Sequence, residues 1–210
     1  ILVTTITLAF GLFVCSLAAF ALANMRWKGQ GVVLMVIIAT FIVPFETIAV
    51  PLLLIVSRLP TMGAGGFAYG WLNTYHVQII PFIVDAFTVF LFVQFFKSLP
   101  YELIEAARID GASWFQIYAR VIVPVSGPVF ATAAILKGLV MWNQYLWPIM
   151  VVQSEEIRPV MVGLGYFFQL NIAWGEVMAY LSVITVPILV LFLSLQRVFV
   201  ESIASSGIKG

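Results

Sequence analysis

ILVTTITLAFGLFVCSLAAFALA, residues 1–23, decides the class of this chain, for it runs the whole distance without a single charge. A helix needs about 20 mostly apolar residues to cross the hydrocarbon core of a bilayer, and this stretch supplies them. A cleavable leader would have a basic leading region and an apolar core of about 7–15 residues, and this stretch has neither, although Ala21-Leu22-Ala23 has the small-x-small form of a cleavage site. The rest of the chain agrees with its beginning. Of 210 residues, 63% are hydrophobic and 9% charged, and the mean hydropathy is +1.12. Soluble domains carry about 25% charged residues. So much apolar chain has no soluble interior large enough to hold it. These proportions exclude a disordered chain, a nucleic-acid binder with a basic face and an ordinary cytosolic enzyme.

Four further stretches have the length of a span: 32–56, 75–96, 125–152 and 177–196. Pro44, Glu46 and Pro51 interrupt the second, Pro81 and Asp85 the third, and Lys137 and Pro148 the fourth. The expected fold is therefore all-α, a polytopic transmembrane helical bundle with five spans. Lys and Arg favour cytoplasmic loops. With the C-terminus inside, the inner loops hold Arg26, Lys28, Lys97, Arg108, Arg120, Arg197 and Lys209, and the outer loops only Arg58 and Arg158. This orientation puts Ile1 outside. The outer Gly63–Gly66 stretch reads as a loop.

The inner segment 97–124 alone reads like soluble structure. Pro100 suits a first helical turn, Glu102 and Glu105 suit the positive end of that helix, and Gly111 suits its C′ position. Ser113 and Gln116 have capping-box spacing for a second short helix, which Pro124 would close. Two readings of this hairpin stand side by side. It is either a surface amphipathic link or, with small Ala106 and Ala107, a shape that a partner's groove accepts closely.

The residues of this hairpin also carry a resemblance. Glu105-Ala106-Ala107-Arg108-Ile109-Asp110-Gly111-Ala112, followed by Ile122-Val123-Pro124, resembles the EAA loop of bacterial ABC importer permeases. Val123 stands where that family commonly has leucine. Trp142-Asn143-Gln144-Tyr145-Leu146-Trp147-Pro148 and the terminal Ser206-Gly207-Ile208-Lys209-Gly210 are similar to the carbohydrate-uptake, maltose-permease-like branch. The three motifs occur in the family's order, and the likeness extends along essentially the whole chain.

The resemblance implies a single permease domain over residues 1–210, with a cytoplasmic coupling hairpin at 97–124 and a sixth span in the full protein. It implies a multi-pass protein of the bacterial inner membrane. Its partners would be a second homologous permease subunit, cytoplasmic ATPase subunits and an extracytoplasmic substrate-binding protein, with no nucleic acid. Glu105, Ala106, Ala107, Arg108, Asp110 and Gly111 would be the ATPase-coupling positions. The chain itself would be no enzyme and hold no cofactor. It has no G-x-x-x-x-G-K-[ST] loop and no Gly-Lys pair, so ATP would be bound and hydrolysed by a partner subunit.

Glu46, Asp85 and Lys137 fall inside predicted spans, where a charge costs about 2.5–3.5 kcal/mol on insertion scales. They either line a translocation path or satisfy one another, Asp85 with Lys137 for instance. Asn143 and Gln144, among Trp142, Tyr145 and Trp147, suit contact with a polyol. Those aromatics equally suit an interfacial belt. The family often has an acid where Gln144 stands. The function expected is a permease subunit of a binding-protein-dependent, ATP-driven sugar importer working by alternating access. An ion-coupled carrier or channel using Glu46 and Asp85 is the alternative.

Overall fold

The computed structural model describes residues 1–63, 66–168 and 173–207. Among these, α1 (Leu2–Asn24) is the uncharged stretch that opened the sequence. It is followed by α2 (Gln30–Ile42) and α3 (Phe45–Val56), a short hairpin of β1 (Pro60–Gly63) and β2 (Gly66–Tyr69), then α4 (Tyr75–Ile79) and α5 (Ala86–Ser98). The chain continues with α6 (Glu102–Ile109), α7 (Trp114–Val125), α8 (Gly127–Trp142), α9 (Leu146–Val151), α10 (Val160–Gly163) and α11 (Trp174–Gly207). Among the described residues, three helical segments, Leu2–Asn24, Tyr75–Ser98 and Trp174–Gln196, are long and apolar enough to cross a membrane, or up to 5 with each of two bent pairs counted as one span.

Several of the expected spans are discontinuous, and the sequence shows why. The second divides into α2 and α3 at Pro44, which is extended at φ −62°, ψ 138° and caps α3. Proline disfavours helical geometry in the residue before it, so Val43 cannot carry α2 onward. The third divides at residues 83–85: a 3-10 turn over Ile80–Phe82 follows α4, and α5 starts afresh at Ala86. The fourth is shorter than its hydropathy implied. Helix α8 ends at Trp142, and Pro148 belongs to the separate α9.

Two other expectations are corrected. Pro124 does not close the second short helix. The chain passes through Tyr118–Ile122 in π register, with Val123 N–H donating to Tyr118 O, and then through the turn Val123–Val125. The wider π turn makes room for a proline that has no N–H to offer. At Ser126 the helix bends by 80° into α8. Gly63 and Gly66, read as part of a loop, instead pair with each other at the ends of antiparallel β1 and β2, and residues 64–65 lie outside the described residues.

The chain forms two compact units. The first comprises Ile1–Leu8, Val43–Ile83 and Gly138–Leu191. Its core gathers Val56, Val77, Trp147, Val151 and Val152, with Phe45, Leu52 and Phe82 packed on it. Trp147 lies 1% exposed, its ring edge-on to Phe45 at 5.8 Å and to Phe82 at 6.1 Å. Its indole N–H donates to Val77 O at 2.8 Å, as a buried indole requires. Asn73 clasps two loops of this unit together. At φ +58° it donates its backbone N–H to Val151 O, and its side-chain Oδ1 accepts from Gln153 N–H at 3.0 Å and Ser154 N–H at 2.8 Å. Asparagine tolerates that left-handed backbone better than other non-glycine residues do.

The second unit comprises Ala9–Ile42, Val84–Lys137 and the chain from Phe192 onward. Its core joins α1, α5, α6, α7 and α8 through Phe20, Phe92, Phe96, Ile104, Ile117, Tyr118 and Val129. Phe92 packs on Phe130 at 4.7 Å and Phe20 on Tyr118 at 5.5 Å. Within this apolar core the Ser16 and Tyr118 hydroxyls share a hydrogen bond of 2.7 Å, so neither is left unsatisfied.

Candidate functional site

The hairpin within residues 97–124 is built as its residues require. Asp110 is the C-cap of α6, and Gly111 follows at φ +78°. Gly111 N–H donates to Arg108 O at 3.1 Å and Ala112 N–H to Ala107 O at 3.0 Å. These are the two bonds of a Schellman termination, whose left-handed position favours glycine. A Cβ on Gly111 would meet nothing within 4 Å, so backbone conformation and not space demands glycine here. Ser113 and Gln116 form the reciprocal capping box, with Ser113 N–H donating to Gln116 Oε1 at 2.7 Å and Gln116 N–H to Ser113 Oγ at 3.4 Å. Pro100 lies one residue before the N-cap of α6, Tyr101, and so precedes the first turn instead of occupying it.

The hairpin is held to its unit by one face only. Ile104 and Ile117 are buried, and Ala107, Ala112 and Trp114 pack against the core. Arg108 lays its guanidinium over the Trp114 ring at 4.7 Å. Glu105, Ala106, Arg108, Asp110 and Gly111 are exposed, whereas Ala107 is half-buried. The two alanines therefore differ: Ala106 offers the close outward approach, and Ala107 is part of the hairpin's seat. Two residues absent from the expected set are more conspicuous than either. Ile109 is 86% exposed and Phe115 62% exposed. Apolar side chains at the tip of a hairpin, among charged neighbours, are what a partner's apolar groove would cover. Their signal in the sequence was present but unphased, because a helix of two turns is too short to show which side faces out.

The residues expected within the membrane fall in different places. Asp85 and Lys137 lie in the second unit and form an ion pair through Lys137 Nζ and Asp85 Oδ2. The side chain of Lys137 is 4% exposed and that of Asp85 39%. Asp85 does a second task, since its Oδ1 accepts from Thr88 N–H at 2.8 Å and so caps α5 at the break in the third span. A helix start at membrane depth has amides without partners, and here the carboxylate supplies one acceptor. Glu46, Asn143 and Gln144 belong to the first unit. Glu46 is exposed in the first turn of α3, where a negative charge favours the helix dipole. Asn143 bonds its own helix, Nδ2 donating to Leu139 O at 2.8 Å. Gln144 lies at the break between α8 and α9 and lines a cavity of about 190 Å³. Of the neighbouring aromatics, Trp147 is a core anchor, while Trp142 lines the same cavity and donates its indole N–H to Ile184 O at 3.1 Å.

Among the described residues, no group of three or more His, Cys, Asp and Glu is placed to hold a metal ion. Interrupted apolar helices, an ion pair beside a helix break and a hairpin with an exposed apolar tip define a polytopic membrane protein of the helical-bundle class. The comparisons with known proteins carry this further. Residues 11–205 match the family of binding-protein-dependent transport system inner membrane components, and the chain belongs to that family.

The chain is 32% identical over 209 residues to the arabinooligosaccharides transport system permease protein AraQ of Halalkalibacterium halodurans, covering 99% of this chain and 71% of that protein. It is 33% identical to the lactose transport system permease protein LacG of Rhizobium radiobacter, covering 94% of this chain and 69% of that one. It is 30% identical to the sn-glycerol-3-phosphate transport system permease protein UgpE of Salmonella typhi, covering 92% and 66%. In fold it is similar to a crystal structure of a bacterial ABC transporter involved in the import of the acidic polysaccharide alginate. That match has a TM-score of 0.75 at 23% identity and covers 92% of this chain and 70% of that one. The chain is thus a multi-pass inner-membrane permease of the ABC importer type, not an enzyme, and its family works with an ATPase and a substrate-binding protein. The ion-coupled carrier is set aside by the same finding.

Proposed function

We propose that this chain moves a carbohydrate or related polyol inward by alternating access, in company with a second homologous permease subunit. ATP is bound and hydrolysed by cytoplasmic partner subunits, and an extracytoplasmic protein delivers the substrate. The observation that carries this reading is the inner hairpin. It is seated on the core of its unit by Ile104, Ala107 and Ile117 and turns Glu105, Ala106, Arg108, Ile109 and Asp110 outward. A rigid seat with an exposed tip suits the transfer of a push from a partner to α1, α5 and α8, which share that core. Substrate chemistry is supported by relatives whose names specify arabinooligosaccharides, lactose and sn-glycerol 3-phosphate, all rich in hydroxyl groups.

Ala106→Trp tests the docking. It adds bulk on the exposed side of α6 and leaves the seat intact. Expected is a loss of substrate uptake of roughly tenfold or more, about 1.4 kcal/mol or more of lost coupling, with unchanged abundance in the membrane and loss of ATPase subunits on co-purification. Full uptake and normal co-purification would remove the hairpin as the coupling element. Ala107→Trp is a poorer test, since it would unseat the hairpin whatever its role.

A further inference from the structure

The first unit contains a cavity of about 190 Å³ whose polar lining includes Gln78, Gln144, Glu156 and Arg158, with Thr4 and the rings of Tyr75 and Trp142. It is too small for the about 300–1,000 Å³ of drug-sized ligands but much larger than the about 30 Å³ share of one water. One small ring fits it; an oligosaccharide does not. Gln78 is 1% exposed, and its Nε2 donates to Ile157 O at 3.1 Å. Its Oε1 has no hydrogen-bond partner among the described residues, nor does Arg158 Nε. A buried amide oxygen and a guanidinium N–H without partners are costly, and a ligand bearing hydroxyl groups would satisfy an acceptor and a donor together. Gln144 adds an amide, Glu156 a carboxylate, and Trp142 and Tyr75 ring faces suited to the apolar face of a sugar. The distribution of basic residues puts residue 1, residue 75, the end of α8 and residues 156–160 all toward the outer side. Substrate arrives from that side in a binding-protein-dependent system.

We propose that this cavity is a receiving subsite that takes one ring of the incoming carbohydrate on this subunit. Gln78 Oε1 accepts from a hydroxyl, Arg158 Nε donates to one, and Trp142 supports the ring. The inference rests on the carbohydrate reading above.

The test uses the complete transporter in proteoliposomes. Uptake of lactose, arabinotriose, maltose and glycerol 3-phosphate is measured first. The Gln144→Cys variant of the same complex is then labelled from outside with a membrane-impermeant maleimide, with the transported sugar present or absent and the binding protein omitted. The parent complex serves as blank, since Cys15 is buried. Expected is a slowing of labelling by roughly threefold at a sugar concentration twice its dissociation constant. That protection is lost when Gln78→Leu or Arg158→Gln is added, while the complex keeps its abundance in the membrane and still co-purifies with its ATPase subunits. Uptake of a panel sugar without protection overturns the subsite and leaves the carbohydrate reading standing. Protection that survives both added substitutions also overturns it. Uptake of no compound in the panel overturns the carbohydrate reading and the subsite with it.

Discussion

At the scale of single residues, the polar groups of the spans act through pairing and capping. Asp85 both neutralises Lys137 and accepts the amide of Thr88, so the two residues are not equivalent. Asp85→Asn keeps a capping oxygen but removes the charge facing a buried ammonium, and hydrogen bonds to charged groups contribute about 1.5–3 kcal/mol. The double variant Asp85→Asn with Lys137→Met is expected to recover much of that loss, because no buried charge is left. The charge-swapped pair is expected to recover less, since a lysine at position 85 has no acceptor for Thr88. Thermal unfolding in detergent ranks the three. Trp147 gives a second residue-scale prediction. Trp147→Ala is expected to cost about 3–5 kcal/mol by emptying the first unit's core, and Trp147→Phe only about 0.5–1.5 kcal/mol for the lost bond to Val77. An interfacial aromatic would show neither loss, so the same melts distinguish core from belt. Gln144 and Trp147, close in sequence, belong to one aromatic and amide cluster there. The structure separates them, one lining a cavity and the other filling a core.

At the scale of elements, helix ends were legible and helix interruptions only partly so. Gly111 as C′ and Ser113 with Gln116 as a capping box are local patterns, fixed by bonds between residues three to five apart. Their strength is open to measurement. Gly111→Ala forces an L-residue into the left-handed region at about 1–2 kcal/mol, and Ser113→Ala removes a cap worth about 1 kcal/mol. Both are expected to speed hydrogen exchange at the amides of α6 and α7 while leaving α1 protected; unchanged exchange there would refute the termination geometry. Pro44 and Pro81 signalled their breaks. Pro124 misled, because whether a proline ends a helix depends on whether the preceding turn widens, and the π turn at Tyr118–Ile122 is permitted by packing around Tyr118 and Ile122. Likewise Ala106 and Ala107 look alike in sequence. Only the seat of α6 on Ile104 decides which one faces out.

At the scale of the whole molecule, the prediction concerns orientation. With the outer and inner loops assigned by their basic residues, Ser154→Cys is expected to react with an impermeant maleimide applied outside intact spheroplasts, and Gln116→Cys only after the membrane is opened. The reverse pattern would invert the topology and put the proposed coupling hairpin on the wrong side. The amino-acid sequence by itself determined that this chain lives in a bilayer, how many apolar stretches it has and where its hairpin lies, and its likeness to a known family pointed to the kind of transporter. Those properties follow from sums over composition, from charge bias and from contiguous motifs, none of which needs the chain to be folded. The tertiary structure alone decided that Asp85 meets Lys137 across 52 positions of sequence, that Trp147 is a core anchor, and that Gln78 joins Gln144 at one cavity. Contacts between distant residues depend on how helices pack in three dimensions, and a hydropathy pattern fixes which face is apolar without fixing what it faces.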